Sequence, residues 1–466
     1  MALQPVFTLP PASLYAAATS LPLCWRYLCE GAAHAVFSYA GPPSPLSATV
    51  LRVSKGAAPP PPPSAAAGPP PLSALLSSAP PSPLSAFFPR GYLPRALLLP
   101  RAAPLHPPAW LGALRGELER ASARAPSRAG APPLPADCAL QLAEDAGAGG
   151  ALVVELKPKC GLRPLRGAPC RFCATQLVKA PRHRPLSLYC PLEVFSGDPR
   201  RVEGALARLV ETPQNNLRVF RGGELLWGGE GCAGAGGDGA EQLPAFGAAL
   251  LRAGWPLRED DGGGGGGGAA ASPAAGAELA AARDFLRVCA AALCAPHSPL
   301  PFLLAAQALC GLAGAGGSAE GAAAALAALA GEGAGGALPW AAVERELLRA
   351  CAEESGGGGG AAPALPGQHL TALVGFLLAA TAIDASVMMA VDAHGSGGAA
   401  APPRAWHEVP GGGGAAVAWA VVDTEVKSAE KVDAWVRAEG ERRDAWARGG
   451  RERFEKEGKA CAALAP

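Results

Sequence analysis

ALVVELKPKCGLRPLRGAPCRFCATQLVK, residues 151–179, is the stretch from which the rest of the chain is read. Val153 and Val154 open it as a β-branched apolar run, and Glu155-Leu156-Lys157-Pro158-Lys159 reads as the end of that strand entering a turn. Alternation along a strand sends Glu155, Lys157 and Lys159 to one face and Val154, Leu156 and Pro158 to the other. One packed face and one charged face are therefore expected. Arg163, Arg166 and Arg171 follow, and Lys179 closes the stretch.

The chain holds eight Lys against thirty-two Arg, and only two Asn, side by side at Asn215-Asn216. In a composition that drifts towards Ala, Gly, Pro and Arg, a retained Lys marks a position that wants a compact ammonium with rotatable donors, not a planar fork. Lys157, Lys159 and Lys179 sit in this one stretch, and Lys427 and Lys431 form a second group. Chance survival is the alternative, and it leaves the equally non-random neighbours of these lysines unexplained.

VELKPKCG, RFCATQLVK, YCPLEVFSGDPRR and TPQNNLRVFRGG follow one another across residues 153–223 and resemble the signature series of inositol-pentakisphosphate 2-kinases. Weaker similarity extends from about residue 25 to about residue 436. The resemblance implies an α+β, two-lobed kinase-like fold with a small N-lobe sheet over a larger, mainly helical C-lobe and ATP between them. The N-lobe is expected at 24–142 with a Pro-rich insert at 56–90. The C-lobe is expected at 143–440 with Gly-rich inserts near 258–275 and 355–366. The implied reaction moves the ATP γ-phosphoryl group to the 2-hydroxyl of inositol 1,3,4,5,6-pentakisphosphate, giving the hexakisphosphate, with ATP and Mg²⁺ as cofactors.

Roles follow by the same resemblance. Glu30, Gly31 and Ala32 belong to the glycine-rich loop over the ATP phosphates, although Cys29 and His34 depart from the family pattern there. Arg52 reaches those phosphates, and Glu155 fits the ribose. Asp423 holds Mg²⁺, with Asp384 as a second candidate metal ligand. Lys157 meets charge at the reacting centre, and Asp384 orients or deprotonates the hydroxyl. Arg128, Lys159, Lys179, Asn215, Asn216, Lys427 and Lys431 fit ring phosphates, and 139–145 falls at the hinge that holds adenine. Plant members carry a His/Cys zinc site in the C-terminal half. Only Cys351 and His369 stand near the corresponding region here, so no metal of that kind is expected.

The residues themselves allow blander readings. Adjacent Asn residues can supply amide donors and acceptors to a ligand or simply close an Asx-turn. Lys427, Lys431 and Trp435 recur at helical spacing, as a substrate-binding face or a solvated one. AVAWAVVD reads as a buried strand ending at Asp423. Asp384, in an apolar segment, is costly without a partner unless it ends a helix. Two readings from other classes remain: a kinase-fold protein that binds inositol polyphosphates with little or no turnover, and a disordered Ala/Gly/Pro-rich scaffold.

A chain of 466 residues is long enough for two sizeable cores. Its net charge of +1 lends nucleic-acid binding no support. A pentakisphosphate carries about −8 to −10 charges, at about −1.5 to −2 per monoester, so the cations have to be concentrated locally. Gly (61) and Pro (49) make up just under a quarter of the chain, much of it in runs such as Pro59–Pro63 and Gly262–Gly268 that read as inserts. Thirteen Cys form no paired zinc-spaced sets, and the single CxxC at Cys170 and Cys173 is weak alone. A reducing compartment, cytoplasmic or nuclear, is expected. The first Arg is Arg26, so a secretory signal is not. The apolar run Leu370–Val391 contains Asp384 and reads as a buried helix, not a membrane span. The expected partner is an inositol polyphosphate, with no nucleic acid and no membrane, acting on a monomer.

Overall fold

The computed structural model describes residues 11–20, 22–30, 34–42, 44, 46, 49–57, 96–99, 107–124, 134–135, 138–144, 151–164, 167–179, 186–228, 242–257, 273–308, 320–324, 368–394, 406–424 and 431–464. Strands and helices are mixed, and the strands form two antiparallel sheets, each with its own core.

The first sheet contains β1 (Trp25–Glu30), β2 (His34–Tyr39), β3 (Thr49–Ala57), β4 (Ala96–Leu99) and β5 (Cys138–Glu144), in the order β1-β2-β3-β5-β4. The helix Pro108–Arg124 packs on it with Trp110, Leu111, Leu114 and Leu118 buried. Each such side chain contributes about 1.5–3 kcal/mol by leaving water. Residues 1–23 carry little pattern in sequence, yet Pro11–Ser20 is a helix whose Leu14, Tyr15 and Ala18 complete this core. The indoles of Trp25 and Trp110 both donate to the Ala18 carbonyl at 3.0 Å. The expected hinge at 139–145 is corrected in part: residues 140–143 pair with β3 on one side and β4 on the other, so their backbone groups belong to ladders, while Asp145 lies outside the described residues.

The second sheet contains β6 (Leu152–Leu156), β7 (Leu217–Arg221), β8 (Glu224–Gly228), β9 (Ser386–Asp392), β10 (His407–Glu408) and β11 (Ala416–Val422). Their order is β10-β11-β9-β6-β7-β8, so β6 is central. That position corrects the one-faced reading of 151–159, since every β6 residue is buried. Leu152, Val154 and Leu156 face a large core shared with the helices Pro199–Glu211, Pro273–Cys294 and Gln368–Asp384. Val153, on the other face, packs with Phe220, Ala390 and Ala418, against which Leu28 of β1 lies.

Asp198 caps Pro199–Glu211, accepting from the Arg200 N–H at 2.9 Å. The apolar run 370–391 is half helix and half strand, because Gln368–Asp384 ends one residue before β9 begins. A continuous apolar run carries no periodicity that would separate the two. Among the described residues no helix is long and apolar enough to cross a membrane. β3 runs to Ala57 and a helix starts at Pro273, which trims the expected inserts 56–90 and 258–275. Nearly all of the rest of those inserts, and 355–366, lie outside the described residues. The large core also takes in Phe454, Cys461 and Ala462, beyond the expected edge at 440.

Candidate active site

Antiparallel pairing brings three distant stretches to one edge of the second sheet. Leu156 pairs with Val387, and Val422 pairs with Ser386. The exit of β6, the entry to β9 and the exit of β11 therefore coincide, and with them Lys157, Asp384 and Asp423.

The Lys157 ammonium lies 2.6 Å from Asp423 Oδ2 and 3.8 Å from Glu155 Oε1. Glu155 is buried beneath it and sits directly opposite Arg218 in the β6–β7 register. Arg218 Nη1 donates to Glu155 Oε2 at 3.0 Å. The Ser386 hydroxyl lies 3.2 Å from Glu155 Oε1 and 2.9 Å from Asp423 Oδ2, and can give its one proton to either. Lys159 Nζ is 3.4 Å from Asp384 Oδ1. Asp384 is the last residue of its helix and half-exposed, so the helix-end reading holds for its position. A carboxylate at that end opposes the helix dipole, and the Lys159 ammonium offsets the conflict.

Electrostatics follow from this geometry. Burial pushes the Asp423 carboxyl up, but Lys157, with Arg52 and the Ser386 hydroxyl, outweighs it and holds the group down at about 2. Burial pulls the Lys157 ammonium down, and Asp423 and Glu155 together raise it above its ordinary value. Lys159 goes the other way, lowered by burial and by Lys157 despite Asp384. Arg52 thus acts on Asp423 from β3 of the first sheet.

The Lys157–Lys159 turn is pinned from several sides. The Lys157 N–H donates to the Asn216 carbonyl at 2.8 Å, and the Tyr189 hydroxyl donates to the Pro158 carbonyl at 2.8 Å. Gln307, fully buried, donates to the Lys159 carbonyl at 3.0 Å and accepts from the Gly161 N–H at 2.9 Å. A Cβ on Gly161 would meet the Phe195 ring at 2.5 Å, so this approach needs glycine. Lys159 (φ 65°) and Asp423 (φ 60°) are both left-handed, as is Gln214 (φ 47°) beside the Asn pair. Such backbone costs about 1–3 kcal/mol per residue and persists only where the surroundings enforce it.

Other expected residues fall less uniformly. Asn215 is exposed, whereas Asn216 is buried and its Oδ1 has no hydrogen-bond partner. Lys179 is exposed at the end of Arg171–Lys179, close enough for its charge to act on Lys159. Lys431 is exposed at the start of the helix Val432–Ala447. Glu30 ends β1, its side chain outside the description. Gly31, Ala32, Arg128, Lys427 and Cys351 lie outside the described residues, as does the His369 side chain. Sequence reasoning missed Arg218, Ser386, Gln307 and Tyr189. Arg218 had a signal in its place within TPQNNLRVF, opposite a strand carrying a buried Glu.

A hard divalent ion takes oxygen ligands and is commonly held by one or two carboxylates together with substrate phosphates. Asp423, ionised down to about pH 2, and the half-exposed Asp384 fit that requirement. The lysines beside them suit phosphate oxygens.

The family model for inositol-pentakisphosphate 2-kinase matches residues 27–441. The inositol-pentakisphosphate 2-kinase of Danio rerio is 44% identical over 86 residues, 16% of this chain and 18% of the relative. That of Drosophila melanogaster is 49% identical over 61 residues, 13% of this chain and 10% of the relative. That of Arabidopsis thaliana is 40% identical over 95 residues, 18% of this chain and 21% of the relative. The aligned stretches thus span about a tenth to a fifth of these relatives' lengths. With the family model covering most of its length, the chain belongs to the inositol-pentakisphosphate 2-kinase family.

Proposed function

We propose that the chain transfers the γ-phosphoryl group of ATP to the 2-hydroxyl of inositol 1,3,4,5,6-pentakisphosphate. The observation that carries this reading is Lys157, held between Asp423 and Glu155 where three strand ends meet, with the Lys159–Asp384 pair beside it. Phosphoryl transfer asks a protein chiefly for positioning and for neutralisation of charge. Lys157 receives the charge that develops on the transferred group. Arg52 binds the ATP phosphates from the first sheet, and Glu155, oriented by Arg218, binds the ribose. Asp384 orients the attacking hydroxyl and takes its proton, with the Lys159 ammonium paired to the carboxylate. Lys159, Lys179, Asn215, Asn216 and the C-terminal lysines Lys427 and Lys431, with Arg128, hold ring phosphates. Mg²⁺, held by Asp423 and the substrate phosphates with Asp384 as a second ligand, supplies further neutralisation.

In this reading an N-lobe over 24–142 holds the first sheet, with the helix Pro11–Ser20 and the last two residues of β5 outside that range, and a C-lobe over 143–440 holds the second sheet, its core reaching on to Ala462, with ATP between the lobes. The protein acts as a monomer. The nine cysteines whose side chains are described are all free of disulfides, which supports a reducing compartment, the cytoplasm or nucleus. A second reading, binding without turnover, draws on the same ion pair, since Lys157 already occupies the carboxylate that a metal needs. Incubation with labelled ATP, Mg²⁺ and a panel of inositol phosphates, resolved by anion exchange, separates the two. Labelled hexakisphosphate is the expected product. Tight pentakisphosphate binding without product supports the second reading.

A further inference from the structure

Ser386 is the first residue of β9 and is completely buried. The β6–β9 register sets Met388 opposite Glu155, and alternation puts Ser386, two residues earlier, on the same face of the sheet. The β9–β11 register sets Ser386 opposite Val422, so Asp423 follows one residue on. The hydroxyl is thereby wedged between two carboxylates, 2.9 Å from Asp423 Oδ2 and 3.2 Å from Glu155 Oε1. Ionised carboxylates only accept, and a serine has one proton to give.

The two acceptors differ in what else reaches them. Asp423 Oδ2 takes the Lys157 ammonium at 2.6 Å, whereas that ammonium is 3.8 Å from Glu155 Oε1, beyond hydrogen-bond reach. Arg218 donates to the other oxygen of Glu155, Oε2. Glu155 Oε1 therefore competes for the serine proton until another donor arrives, and ribose hydroxyls are such donors. A carboxylate that receives both Lys157 and Ser386 at one oxygen is held in a single orientation. Hydrogen bonds of that kind, to the ligand and not to the ion, commonly set how well a carboxylate binds a metal.

We propose that Ser386 is a positioning residue that couples the sugar of the nucleotide to the cation. Ribose hydroxyls donating to Glu155 Oε1 release the serine proton to Asp423 Oδ2, and the Asp423 carboxylate is thereby fixed for Mg²⁺. No covalent bond forms or breaks, and only the serine hydroxyl rotates. The inference rests on the proposed activity, because it takes Glu155 as the ribose contact and Asp423 as the metal ligand, and it adds that the two respond to each other through one buried hydroxyl.

The test reads binding and not turnover. Affinities of the full chain for ATP and for 2′,3′-dideoxy-ATP are measured by calorimetry, with Mg²⁺ and with EDTA, in wild type, Ser386→Ala and Ser386→Thr. In wild type, Mg²⁺ should raise the affinity for ATP by a factor about threefold to tenfold larger than the factor for the dideoxy nucleotide. That difference should vanish in Ser386→Ala and return in Ser386→Thr, which keeps the hydroxyl. Should Ser386→Ala not fold, the wild-type comparison still decides, since an equal gain from Mg²⁺ for both nucleotides overturns the coupling. A difference that survives in folded Ser386→Ala overturns it too, and leaves Ser386 a purely structural hydroxyl. Either of those results beside ATP-dependent formation of hexakisphosphate leaves the proposed activity standing, whereas wild type that binds neither nucleotide overturns both.

Discussion

Lys157 Nζ and Asp423 Oδ2 are 2.6 Å apart in space and 266 residues apart in sequence. The contact exists because β6 and β11 flank β9 and run the same way, so both end at the edge where β9 begins. Ser386, the first residue of β9, joins the pair from that edge. The left-handed backbone of Asp423 then turns the chain out of β11 at the point of contact.

Lys157 and the C-terminal lysines should fail in different ways when removed. Lys157→Ala should bind pentakisphosphate comparably and lower kcat by about 10²–10³, since its interaction grows as charge moves. Lys427→Ala with Lys431→Ala should raise KM with kcat nearly unchanged, and more so at higher salt, because exposed charges are screened. Steady-state kinetics at two salt concentrations, with direct binding beside them, check both. A KM untouched by the double variant at either salt would make the C-terminal lysines a solvated face.

Stability in acid should carry the signature of Asp423. Its folded value of about 2 lies below the ordinary 3.8, so the ionised, paired form contributes stability above about pH 4 that is lost as pH falls through about 2. Thermal midpoints of wild type and Asp423→Asn should therefore differ at neutral pH and converge between about pH 4 and pH 2. A gap that stays constant over that interval would contradict the ion pair as a stabilising contact.

Gln307 should behave as a positioning residue for the lysine turn. Gln307→Ala leaves the Lys159 carbonyl and the Gly161 N–H without their side-chain partner, at about 1–3 kcal/mol for each buried group left unsatisfied. Chemical denaturation should show that loss, and kcat should fall with it because Lys159 is no longer held in its left-handed conformation. Gln307→Glu keeps the acceptor for Gly161 and should recover part of the stability. Wild-type stability in Gln307→Ala would refute the role.

The lysine turn, Asp384 and Asp423 were legible in sequence because each is an ionisable residue beside an apolar run, and a charge there needs a reason. Their mutual contacts were not legible, since strand order and register join residues that no local pattern relates. The expectation of a charged face on β6 failed for the same reason. A strand in mid-sheet is covered on both sides, and Glu155 is tolerated there because Arg218 stands opposite it. The helix-to-strand change after Asp384 was hidden in unbroken apolar residues. Cys461 shows the limit most plainly: a CxxC at residue 170 says nothing of a sulfur near the end of the sequence that the fold brings within 4.8 Å of Cys170, Cys173 and Cys190.

The most direct test of the account is to compare wild type and Asp423→Asn for conversion of pentakisphosphate to hexakisphosphate with Mg²⁺ and ATP, measuring pentakisphosphate binding and the thermal midpoint alongside. The account predicts that wild type forms hexakisphosphate phosphorylated at the 2-position, while the variant stays folded, binds pentakisphosphate and loses turnover by about 10²–10³. Turnover within about tenfold of wild type in the variant, or no hexakisphosphate from a folded wild type that binds both substrates, would contradict it.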